Sequence, residues 1–409
     1  MKQLLLLVSS LVIVALISSC SNNSGANVSG PTQQQVANPI NSDTVTGNIK
    51  GTMLAGKTYY VLDSIHVLAG DTLTLQAGVT CYMITKSSNP AASAVFIEGT
   101  LLSNGTQSQP NFFTTTPDKQ KGFAAQGTWG GLIGDSCNMI SLKWTHVDYT
   151  GGPDNQGSPR QVIHFASNAA GTSQLIIEDS WLDFGSDDGC KVYGGTGHIL
   201  RNTIDDIGST DGEAINIKNG WKGEIAYNVV WQPAGSCIKI ESSSTDLTAI
   251  TKVNVHNNTL INSGFRRPNE IGYGVLCDAG GQAQVWNNII VNCRYSMFLG
   301  PDADTSNSHF GYNLLYATVD SLKGNNRYYP IDGVVDRMQS STDIVGVDPM
   351  FTTFDGSDAA LTAPLDNNNY RLKSNSPAFG KGSTNFMSTG LGDADLGAYT
   401  SNTSVSNQH

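Results

Sequence analysis

Between Ser173 and Tyr316 one short phrase recurs: a few apolar residues, an Asn or Asp, then apolar residues in alternation again. The copies read LIIEDSWLDFG, HILRNTIDDIG, EIAYNVVWQ, VNVHNNTLINSG, AQVWNNIIVNC and HFGYNLLYA. With Asp179, Asn202, Asn228, Asn258, Asn288 and Asn313 as reference positions, the spacings are 23, 26, 30, 30 and 25 residues. Each unit is too short and too rich in Gly and Asn to bury an apolar face alone, so the units must stack and share one core. Parallel stacking places like residues above one another at about 4.8 Å, which lets the recurrent Asn form a hydrogen-bonded ladder. The expected fold is therefore all-β: a single-stranded right-handed parallel β-helix with an irregular C-terminal cap, the hand following the rule for parallel crossovers.

Charged residues make up only 14% of the chain, and 44 Gly among many Asn, Ser and Thr read as turns between short strands. A solenoid grows by adding coils, so 409 residues do not demand several domains. Lys2 and the apolar run from Leu4 to Ile17 make residues 1–19 a secretory signal, too short for a comfortable membrane span. Its ending, Ile17-Ser18-Ser19-Cys20, looks like a bacterial lipobox, which implies lipidation of Cys20 and anchoring in the cell envelope, with the outer membrane the expected location. A flexible tether is expected over 20–50, N-terminal coils over 51–157, central repeats over 158–320, a closing wrap over 321–400 with a short helix near 332–339, and a disordered tail over 401–409. Without Lys2 the chain holds 22 basic and 34 acidic residues, a net charge of −12, which argues against a nucleic-acid partner. A monomer is expected. Six further cysteines lack CxxC spacing and read as packed thiols, Cys190 and Cys277 in the core.

The phrases VLAGDTLTLQAGVTCYM, GTWGGLIGD and SLKWTHVDYTGG resemble the opening coils of right-handed parallel β-helix lipoproteins of the Bacteroidota type, with the pectin-lyase-like fold. SDDGCKVYGGTGHIL resembles their Asp-Asp-Gly coil, and DPMF, NNNYRLKSNSPAFGKG and DLGAY resemble their closing segments. The resemblance spans most of residues 58–399 and implies the fold; that family is functionally mixed, so it implies no single activity.

Candidate chemistry lies on one wall of the solenoid. If Ile163, Cys190, Ile215, Ile238, Val275 and Met297 point inward, their neighbours His164, Lys191, Asn216, Lys239, Leu276 and Phe298 form an outward column. Two residues on, a second column runs Ala166, Tyr193, Lys218, Glu241, Asp278 and Gly300. The loops leading in carry Asp187, Asp188, Asp211 and Glu213, four carboxylates that a calcium ion would hold together. Arg266 and Arg267, on a longer insertion, are placed to hold sugar carboxylates.

Two functional classes follow. One is a tethered protein that binds a glycan or another envelope component along the wall, through His164, Tyr193, Asn216, Glu241, Arg266, Arg267 and Asp278. The other is a calcium-dependent polysaccharide lyase, with Lys191, Lys218 or Lys239 as the base that removes the proton beside a uronate carboxylate. Hydrolysis is disfavoured. Asp187-Asp188 resembles the acid pair of the polygalacturonase family, but that family's Asn-Thr-Asp and Arg-Ile-Lys motifs are missing and Gly197-His198-Ile199 departs from Gly-His-Gly.

Overall fold

The computed structural model describes residues 37–409, apart from 86–89, 123–125, 210–211, 243–248, 268–270, 339–340, 364–366, 385–392 and 405. The expected signal, Cys20, the first part of the tether and Asp211 lie outside the described residues.

Every coil uses three short strands. In one turn Cys190–Tyr193 is followed by Thr196–Leu200 and then Thr203–Asp205; the next supplies Ile215–Lys218, Lys222–Ala226 and Val229–Trp231. Corresponding strands pair in parallel from coil to coil, so the solenoid has three faces. The first and third faces belong to one 20-stranded sheet and the second to an 11-stranded sheet. The two faces join through the long strand Thr58–Val67, which pairs with Thr80–Ile84 by one half and with Val95–Ile97 by the other. Together these registers define a parallel β-helix, and the crossovers follow the right-handed rule.

Alternation decides which side chains enter the core. Ile163, Cys190, Ile215, Ile238, Val275 and Met297 are all 0% exposed and stack in register, as the alternation requires. The six described cysteines are buried free thiols. Burial raises the Cys81 pKa to about 12.

Corners between the second and third faces carry the ladder. The Asn202 N–H and Nδ2 both donate to Asn228 Oδ1, at 2.9 and 3.0 Å, and Asn228, Asn258 and Asn288 repeat the contact toward Asn313. Asp343 ends the run by accepting from the Asn313 N–H at 2.8 Å. Above Asn202 the rung is Ser180 rather than Asp179: Trp181 pairs with Thr203, and the Ser180 N–H donates to Asn202 Oδ1 at 2.9 Å. Asp179 occupies the preceding corner, with φ 49°, in a column with Arg201, Tyr227, Asn257, Asn287 and Tyr312 at φ 52–58°. Such left-handed corners are costly for residues other than Gly, and the shared amide contacts of the next residue offset that cost.

Two boundaries differ from the sequence expectation. The solenoid begins inside the expected tether, because Pro39–Ile40 pairs with the strand Gly51–Met53 and Thr44–Asn48 pairs with Thr58–Val67. Backbone pairing, which a polar sequence satisfies as well as an apolar one, covers the open edge there. The tail is also packed rather than disordered. Asn407 is fully buried and its Nδ2 donates to the carbonyls of Asn202 and Tyr227, while the His409 ring stacks on Trp181 at 3.9 Å. Those carbonyls flank left-handed corners and accept a donor that no apolar residue could supply. The expected short helix is the single turn Val335–Met338, which caps the core with Met338. Phe351, Tyr370, Ala378, Leu396 and Ala398 of the wrap cover the third face at Val229, Ile261, Ile289, Val291 and Leu314.

Candidate functional site

The first face is the wall expected to carry chemistry, and its columns are in register. His164, Lys191, Asn216, Lys239, Leu276 and Phe298 lie above one another, and Ala166, Tyr193 and Lys218 begin the second column, which Glu241 and Asp278 continue. Rigid strands rather than loops therefore fix these groups at a strand spacing of about 4.8 Å.

Charges on the wall are paired. Lys218 Nζ lies 3.1 Å from Glu241, and Lys239 Nζ lies 3.3 Å from Glu241 and 3.8 Å from Glu213. Lys191 Nζ is 3.4 Å from Asp188, and His164 Nε2 is 3.5 Å from Asp135 on the preceding strand. Burial lowers the pKa of Lys191 and Lys239, but the facing carboxylates, Asp188 for the first and Glu213 and Glu241 for the second, outweigh it and raise both. Proton abstraction needs a neutral amine, so these surroundings oppose the role of base for Lys191 and Lys239. Lys218 shares its carboxylate with Lys239.

Asp187, Asp188 and Glu213 come close together without forming a cage. Asp188 is fully buried: one oxygen accepts the Glu213 N–H at 2.9 Å and the other accepts Asn216 Nδ2 at 3.0 Å. Asp187 accepts from Gln161 Nε2 at 2.5 Å, and its other oxygen is buried with no hydrogen-bond partner, as is Asn216 Oδ1. Burial, then the Asp188 charge, raises the Asp187 pKa. Among the described residues no three His, Cys, Asp or Glu gather where they could hold a metal ion. A cation would find two orphaned oxygens here, Asp187 Oδ1 and Asn216 Oδ1, with Lys191 already on Asp188.

Arg266 does not face the wall. Its guanidinium donates to the carbonyl oxygens of Gln232, at 2.6 and 3.1 Å, and Ile207, at 2.6 Å, and so ties two corners together. A five-donor fork is well matched to such carbonyls, and these contacts hold the Arg266 guanidinium at the corners. Arg267 is half-buried beside it, and the rest of that insertion, 268–270, lies outside the described residues. Asp278 is half-buried at the end of its strand, against Gly300, where burial raises its pKa.

A second constellation escaped the sequence reading. On the third face Asp148, Asp183 and Asp205 stack in register on successive strands. The adjacent outward positions hold Phe112, His146 and Trp181, whose rings stack at 4.6 and 4.1 Å. Burial pushes the Asp148 pKa up to about 7; burial and then Asp205 raise that of Asp183 well above the usual range. The copies THVDYTG, WLDFG and TIDDIG each end an apolar alternation on Asp, a signal easily taken for turn chemistry.

No family model matches the chain, and no curated protein sequence matches it. Among solved structures it is similar to the crystal structure of pectate lyase Pel9A, with a TM-score of 0.42 and 14% identity over 82% of this chain and 88% of that one. The strand registers, independently of that likeness, make this chain an all-β parallel β-helix.

Proposed function

We propose that the protein is a membrane-tethered lipoprotein of the cell envelope, of the Bacteroidota type, that binds a glycan or another envelope component along the first face. The observation that carries this reading is the in-register wall of partly buried, mutually paired side chains, Lys218–Glu241–Lys239–Glu213 and Lys191–Asp188, next to Tyr193. Fixed donors and acceptors on a flat sheet suit a hydroxyl-rich polymer, and an aromatic ring offers a sugar a stacking surface. Anchoring follows from the lipobox: a Cys20→Ala chain should leave the detergent phase on phase separation, whereas an unchanged partition removes the tether from the account. Binding is tested by affinity electrophoresis on a panel of polysaccharides. Retardation that is lost in Tyr193→Ala and in Lys218→Ala/Lys239→Ala supports the wall; retardation that neither change affects refutes it.

The orphaned oxygens of Asp187 and Asn216 favour a second reading, a calcium-dependent polysaccharide lyase. Asp187 and Asn216 would hold the ion, which supplies Lewis acidity toward a uronate carboxylate. Calcium-dependent growth of absorbance from unsaturated products on a polyuronide, absent in Asp187→Asn, would favour it over simple binding.

A further inference from the structure

Where the first face turns into the second, the corners are Gly194-Gly195 in one coil and Asn219-Gly220 in the next. They shape a hollow of about 470 Å³ that crosses four coils and includes Asn168, Tyr193, Asn219 and Lys222 in its lining. A second hollow of about 350 Å³ lies on the second face, rimmed by His198, Lys222, Lys252 and Asn254. The two adjoin at Lys222, which lines both, and are together termed the trough.

The trough has a fixed floor. Gly197 and Gly223 pair in register on its second-face side, and a Cβ at Gly223 would run into the Trp221 ring, which fills the core beneath. Any side chain there would press on the Gly197 carbonyl and the Trp221 ring.

Charge separates this trough from the wall beside it. Lys222 and Lys252 pair in register on neighbouring strands, about 4.8 Å apart along the sheet. Both are exposed, and neither meets a carboxylate among the described residues. Glu224, the acid in the lining two residues along the strand from Lys222, is buried and committed to His256 Nε2 at 2.6 Å. In a chain of net charge −11, two adjacent ammonium groups with no carboxylate partner among the described residues attract anions to a hollow.

We propose that this trough, from Tyr193 over Lys222 to Lys252, holds a linear anionic glycan, with a ring against Tyr193 and its carboxylate or sulfate groups on the two lysines. The proposal rests on the reading of the protein as a glycan binder and specifies the class of glycan. Carboxylate and sulfate present the same chemistry to an ammonium group, a delocalised anion accepting charge-assisted hydrogen bonds.

The test measures the affinity of the full chain for polygalacturonate, dextran sulfate and uncharged dextran. Tighter binding of either anionic polymer than of dextran, weakening with salt and falling about tenfold in Lys222→Ala/Lys252→Ala, supports the trough, and the polymer preferred separates carboxylate from sulfate. Retention of affinity in Lys222→Arg/Lys252→Arg supports it further. Dextran bound as tightly as the anionic polymers, with the lysine variants unchanged and Lys218→Ala/Lys239→Ala impaired, overturns the trough and leaves the first-face reading standing. Binding of none of the polymers overturns both.

Discussion

At the scale of single residues, the ladder and the third-face carboxyls make opposite demands on stability. Asn258 is fully buried and satisfies both neighbouring rungs, since its Oδ1 accepts from Asn228 and its Nδ2 donates to Asn288. Asn258→Ala leaves those groups unpaired in the core and should cost about 2–4 kcal/mol, read as a lower midpoint in urea. Asp148 and Asp183 act the other way. Their folded-state pKa values are raised, so each is protonated without penalty below its unfolded pKa near 3.8 and loses stability as pH climbs toward the folded value, about 7 for Asp148. Thermal unfolding should therefore fall between pH 4 and 7. Asp183→Asn should flatten that fall and raise stability at pH 7; a variant with the wild-type pH profile would contradict this account of the stacked carboxyls.

At the scale of elements, the period-2 pattern decided what could be read in advance. Cys190, Lys191 and Tyr193 took their inward and outward places from alternation alone, and the strand registers align them with Ile215, Asn216 and Lys218 as the sequence required. The repeat frame shifts by one residue at Asp179 because Ser180 stands where the later coils carry the ladder Asn, and a hydroxyl there gives no amide signature. Ion pairs were hidden for a different reason. Lys239 meets Glu213 across one coil, and that meeting depends on how the intervening corner folds rather than on any local pattern. The Arg266 contacts were hidden in the same way, since the corner carbonyls it binds belong to Ile207 and Gln232, distant in sequence. The ends are elements too: the polar segments 39–48 and 406–409 bury backbone and amide contacts rather than apolar side chains, so composition concealed them.

At the scale of the whole molecule, the three faces do different work. The third is covered by the wrap, whose Phe351, Tyr370 and Leu396 shield Ile261, Ile289 and Leu314. Removing residues 350–409 should expose that apolar face and promote aggregation, visible as stronger light scattering than the intact chain gives at the same concentration. The first face carries the paired wall, and with the trough beside it forms the surface proposed to bind glycan. Lysine acetylation footprinting with the polysaccharide that binds tests that assignment most directly. Bound polymer should protect Lys191, Lys218 and Lys239 on the wall and Lys222 and Lys252 in the trough, while Lys57, far along the chain among the N-terminal strands, reacts as before. Equal reactivity of all these lysines with and without polymer, or protection confined to other faces, would contradict the account.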